Sequence, residues 1–236
     1  MRAGVGAAAI TTLALGLTGP AAATVTPRGD FALRFGTQTP NAPTSIHLQI
    51  LYKAADPAAK PSPIRRVLIS APPGTHFDTK ALPECTASDP ELLIAGDGAC
   101  PVASRLGIGK LTAITGFGPP LDPFVADVTI FNAADSIVEL VKDHASGRPV
   151  ATDRFRIEGS SWIGTPPMTP GGPPDGQTAV REIDFTYSPA AAWVRTPPSC
   201  DASGRWTSTA SFTYADGVTA NVSDATPCAR PATSPP

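Results

Sequence analysis

Groups that do chemistry are scarce in this chain. Its 236 residues hold three histidines and four cysteines, and charged residues make up 16%. His47, His76 and His144 are thus the whole supply of imidazole for a general base or a histidine metal site. None of the cysteines stands in a two-residue Cys pair and no histidine is near them, so the usual zinc spacings are missing. Lys and Arg number 18 against 20 Asp and Glu, a formal net charge of -2, and the basic residues are scattered. Without a concentrated positive field, nucleic acid is not expected as a partner.

Familiar site motifs fail on inspection. Gly107-Ile108-Gly109-Lys110 looks like part of a phosphate loop, but that spacing requires Gly where Ser104 stands and Ser or Thr where Leu111 stands. A strand start with a permissive turn is the better reading. In Gly159-Ser160-Ser161-Trp162-Ile163-Gly164 the glycine of a nucleophile elbow is displaced, and the surroundings read as antiparallel strands. Asp122, Asp127, Asn132 and Asp135 supply oxygens, but not at calcium-loop spacing, so neither a metal nor a cofactor is expected. Asn221-Val222-Ser223 is formally a glycosylation sequon, a coincidence if the chain is bacterial.

The N-terminus runs Met1-Arg2, then a short apolar stretch, then Gly19-Pro20-Ala21-Ala22-Ala23. A basic start, an apolar run too brief to span a bilayer and small residues before the junction read as a signal peptide over 1–23. A secreted product with no membrane span after cleavage is expected. About 210 residues would remain, enough to bury a real core.

In an exported chain, an even number of cysteines reads as disulfides. Three pairings are formally open. The preferred one joins Cys85 to Cys100 and Cys200 to Cys228, each pair near in sequence and bracketing one compact unit.

The 28 prolines and 21 glycines fall between apolar runs and punctuate many short strands. Ile46, Leu48, Ile50 and Tyr52 alternate with His47 and Gln49, a period of two that gives a half-buried strand. The same alternation recurs over 154–158, 181–187 and 206–214, and Asp216-Gly217 supplies a hairpin turn into 218–222. Apolar runs over 67–70, 124–131 and 137–141 read as more central strands, the last also compatible with a helix. Asp89 before Pro90-Glu91-Leu92-Leu93-Ile94, with Gly96 following, predicts one short helix inside the first Cys loop.

The predicted fold is an all-β, antiparallel sandwich, immunoglobulin-like or jelly-roll-like, forming one domain over 24–230 with a disordered tail over 231–236. Two small β modules divided near residue 120 are the alternative. The stretch 165–176, rich in Pro and Gly, is the longest evident loop and is expected to overhang a surface.

Candidate sites are few. Trp162 and Trp193 flank that long loop and are candidates for an aromatic ligand platform if exposed, although large aromatics are commonly buried. Among the histidines, His47 reads as solvent-facing and His144 as part of a turn, which leaves His76 for a test of chemistry. Asp122, Asp127, Asp135, Glu139, Asp153, Glu158, Glu182 and Asp184 include enough acids for a glycosidase pair, but Glu182 and Asp184 lie on the wet face of their strand. No residue is assigned a catalytic role.

The segments Lys60-Pro-Ser-Pro-Ile-Arg-Arg-Val-Leu68, Pro72-Pro-Gly-Thr-His-Phe-Asp-Thr79, Leu82-Pro-Glu-Cys-Thr-Ala-Ser-Asp-Pro-Glu-Leu92 and Ala99-Cys-Pro-Val-Ala-Ser-Arg-Leu-Gly107 resemble secreted β-rich proteins of high-GC actinobacteria. The likeness continues through Thr196-Pro-Pro-Ser-Cys200, Ser203-Gly-Arg-Trp206 and Ser211-Phe-Thr-Tyr-Ala-Asp-Gly217, so it covers most of the mature chain. It implies an extracellular β protein with structural cysteines, and no activity is associated with that uncharacterised group. The expected function is a non-catalytic surface, adhesion or binding module for an extracellular glycan or protein. A secreted polysaccharide hydrolase is the alternative.

Overall fold

The structure is a computed structural model that describes residues 28–54, 56, 59–188 and 192–229. The expected signal peptide over 1–23 and the tail over 231–236 lie outside the described residues. The first five strands are β1 (Gly29–Phe35), β2 (Ile46–Tyr52), β3 (Ile64–Ser70), β4 (His76–Phe77) and β5 (Arg105–Ile114). After residue 120 follow β6 (Phe124–Ala133), β7 (Ser136–Asp143), β8 (Pro149–Glu158) and β9 (Ser161–Gly164). The last four are β10 (Ala179–Tyr187), β11 (Val194–Arg195), β12 (Arg205–Tyr214) and β13 (Thr219–Pro227).

Eleven strands form one antiparallel sheet in the order β1-β2-β10-β5-β6-β7-β8-β9-β3-β12-β13, and β4 pairs separately with β11. This departs from the expected sandwich. The sheet is continuous and curls until its two edge strands, β1 and β13, lie beside each other. There the Leu33 amide donates to Asp224 Oδ2 at 3.3 Å, and the Ala229 amide donates to the Gln38 carbonyl at 2.8 Å. The result is nearly a barrel, with a seam of isolated hydrogen bonds where a closed barrel would have a ladder. The stretch 116–123 joins the paired strands β5 and β6.

Alternation sends one side of each strand inward. Leu48, Ile50 and Tyr52 of β2, Val67 and Ile69 of β3, Phe185 and Tyr187 of β10 and Phe212 and Tyr214 of β12 are all buried in one core. Two large residues gain their room from glycine opposite: Phe185 pairs with Gly109 and Phe155 with Gly164. A Cβ on Gly109 would stand 2.2 Å from the Phe185 ring, and one on Gly164 would stand 2.5 Å from that of Phe155. The glycines of Gly107-Ile108-Gly109-Lys110 therefore serve strand packing inside β5.

On β6 and β7 the outer face is covered too. The Cys85–Cys100 disulfide closes a loop carrying α1 (Asp89–Ala95), and Leu92 packs with Phe131, Ala133, Val138 and Leu140. The helix cap is Ser88, one residue earlier than the sequence suggested. Glu91 reaches back to the Ser88 amide at 2.8 Å in a capping box, and Asp89 opens the first turn, where a negative charge favours the helix N-terminus. The second disulfide joins Cys200 to Cys228, so both bridges take the preferred local pairing.

Candidate functional site

Inside the curled sheet is a cavity of about 370 Å³. Its floor is aromatic: Trp162 lies 6.0 Å from Tyr187, ring centroid to centroid, and is backed by Phe77 at 4.7 Å. Phe77 belongs to the small β4–β11 pair, which also brings Trp193 to 5.2 Å from it. The opposite end is bordered by Thr115, Phe124, Val150, Met168 and Thr178. Val150 is 48% exposed and Met168 37%, so the cavity reaches solvent at that end.

The overhanging Pro-Gly loop is held in place by Lys60. Its Nζ, on a side chain only 5% exposed, donates to the Gly172 and Gln177 carbonyls at 3.2 and 2.6 Å and pairs with Asp175 at 2.5 Å. Asp122 organises the neighbouring loop by accepting from the amides of Thr115, Gly116 and Gly118. Phe117 and Leu121 of that loop are exposed, which adds apolar surface beside the mouth.

The walls are aliphatic and aromatic, with two acids set into them. Glu139 of β7 and Asp153 of β8 are directly paired positions, and both line the cavity. Such neighbours hold their Cβ atoms about 5 Å apart on one face of a sheet. Glu139 sits between Ile137 and Val141, one layer above the aromatic floor. Tyr187 and Tyr52 bring two phenols to the same lining.

Burial dominates the electrostatics of this pair. It pushes the Glu139 carboxyl well above the usual range, and the Asp153 charge adds to that rise while the Tyr187 hydrogen bond opposes it. Burial likewise raises Asp153 to about 7, against the opposing hydrogen bond from the Arg154 amide. The Asp89 charge outside the sheet raises it further. Burial also raises both Tyr52 and Tyr187, with Tyr214 and then the two acids adding to Tyr52 and Glu139 adding to Tyr187, keeping their phenols neutral. No Lys, Arg or His lines the cavity, so the acids have no cationic partner there.

Trp162 and Trp193 are 2% and 0% exposed, so they form no surface platform. Trp162 lines the cavity from within, and its buried Nε1 has no hydrogen-bond partner among the described residues. Trp193 Nε1 donates to Asn132 Oδ1 at 3.0 Å, while Asn132 Nδ2 donates to the Thr79, Leu82 and Pro83 carbonyls. Asn132 is therefore a structural pin.

The histidines are not gathered. His47 pairs with Asp184 and His144 with Asp127, each at 2.8 Å on the outside, and His76 is exposed on β4. Ser161 Oγ hydrogen-bonds Ser70 Oγ at 2.9 Å across β9 and β3. Among the described residues, no group of three or more His, Cys, Asp or Glu is placed to hold a metal, and no helix is long and apolar enough to cross a membrane. Of the eight acids named from the sequence, Glu139 and Asp153 are the two that line the cavity. Asp153 is in phase with Phe155 and Ile157, so the alternation over 154–158 carried the signal for its inward position.

No known protein family, curated protein or solved structure matches this chain.

Proposed function

We propose that this is an exported, disulfide-stapled β protein that binds one small, mainly apolar molecule inside its curled sheet, without catalysing a reaction on it. The observation that carries the reading is the cavity itself: about 370 Å³, walled by apolar side chains and open at one end. Sites for small molecules have this character, a preformed apolar cavity with a few polar groups that fix orientation. Export rests on the N-terminal signal pattern, the two disulfides and the resemblance to secreted actinobacterial proteins.

An internal cavity favours a small molecule over the glycan or protein surface first expected. For a polysaccharide hydrolase, the paired acids are the feature in favour. They stand side by side on adjacent strands within an apolar lumen, however, whereas glycosidase carboxyls flank a bond from two sides.

The test is titration with a neutral apolar fluorophore, N-phenyl-1-naphthylamine. The expected result is saturable enhancement at one site, weakened at least about tenfold by Val180→Trp, which places an indole in the cavity lining. Absence of saturable binding would remove the reading, as would binding indifferent to Val180→Trp.

A further inference from the structure

Resting on that reading, we infer that the molecule bound in the cavity is an amphiphilic amine, its cationic nitrogen held between Glu139 and Asp153 and its apolar body directed toward the mouth. Three structural features converge on this class. The two acids are adjacent on one wall, so a single ammonium can contact both. Their surroundings supply the Tyr187 phenol but no cation, although an ion of opposite charge is the group that buried carboxylates most require. Apart from four threonines, the remaining lining is apolar, with Val67, Ile69, Val141 and Val180 among its members, which suits a hydrocarbon body.

A fatty carboxylate fits worse, because it would bring a further negative charge to two acids with no Arg or Lys to receive it. An alcohol can hydrogen-bond the pair but gains no charge attraction. An ammonium gains charge-assisted hydrogen bonds inside a largely apolar cavity.

The pair also couples binding to pH. The titratable and charged groups acting on it are Glu139 on β7, Asp153 on β8, Tyr187 on β10, Tyr52 on β2 and, from α1 outside the sheet, Asp89. Burial holds protons on the empty pair, and Asp153 titrates at about 7. An arriving ammonium displaces a proton, so amine affinity rises with pH between about 5 and 8.

The experiment competes decylamine, decanol and decanoate, all below their aggregation thresholds, against the bound neutral fluorophore at pH 7.5. Decylamine is expected to bind at least about tenfold more tightly than decanol, with decanoate weakest. In Glu139→Gln/Asp153→Asn, the ratio of amine to alcohol affinity should fall to about one. Calorimetry on the unaltered protein at pH 6.5, in two buffers of different ionisation enthalpy, should show net proton release with decylamine and none with decanol, and needs no variant to fold.

Fluorophore and decanol binding with no preference for the amine would overturn this inference and leave the binding reading standing. Amine binding without proton release would overturn it as well. If neither fluorophore nor decanol binds, the cavity reading itself fails.

Discussion

Glu139 and Asp153 are cross-strand neighbours on β7 and β8, facing the interior of a curled sheet that supplies no cation to either. Two acids in such a place weaken the fold at neutral pH. Asp153 is raised from 3.8 to about 7, so the native chain keeps a proton that the unfolded chain has already lost. The contribution is fully present below about pH 4 and is lost as pH rises through about 7, at up to about 1.4 kcal/mol per pH unit. Glu139, also raised, acts with the same sign. Urea unfolding between pH 4 and 8 should show stability falling with pH, and Asp153→Asn should flatten that slope and gain on the order of 1–3 kcal/mol at pH 8. A slope unchanged by Asp153→Asn would contradict this assignment.

Lys60 fastens the Pro-Gly loop over the mouth through two carbonyls and Asp175. Lys60→Met should cost about 1–3 kcal/mol, less than a fully buried ion pair would because Asp175 is partly exposed. Limited proteolysis should then cut within 165–176 faster than in the unaltered protein. Equal cutting rates would show that the loop is held by other contacts.

The Cys85–Cys100 bridge closes a span of 15 residues and seats Leu92 over β6 and β7. Cys85→Ser with Cys100→Ser should cost about 2–5 kcal/mol in urea unfolding. Cys228→Ser should fall in the same range, about 2–5 kcal/mol. Peptide mapping should recover the two local pairs, and a peptide linking Cys85 to Cys200 or Cys228 would contradict them.

Asn132 is buried and satisfies three carbonyls and the Trp193 indole at once. Asn132→Ala should cost about 2–4 kcal/mol, since it strands several buried polar groups, and should shift the near-ultraviolet dichroism of the aromatic cluster. A loss below about 0.5 kcal/mol would show that water replaces the amide.

The sequence made β2, β8, β10 and β12 readable because each has one wet face, so polar and apolar residues alternate. On β6 and β7 that signal vanished: α1 and the disulfide loop cover Phe131, Val138 and Leu140 from outside, and apolar residues occupy both sides. Glu139 was hidden for the same reason, lying in a run that is apolar on either side of it. Asp153 was legible in principle from its phase with Phe155 and Ile157. Curling of the sheet was not, because placing β10 between β2 and β5, and β3 between β9 and β12, depends on long-range pairing that local periodicity does not encode. The same closure puts Trp162, a candidate ligand platform only if exposed, in the cavity floor.

The most direct measurement is a crystal structure of the protein grown with decylamine. The expected density is one molecule inside the curled sheet, its nitrogen within about 3 Å of the Glu139 and Asp153 carboxyl oxygens and its chain running toward Val150 and Met168. A cavity filled by collapsed side chains or ordered water, with decylamine absent or on the outer surface, would contradict the assignment of this interior as a binding site.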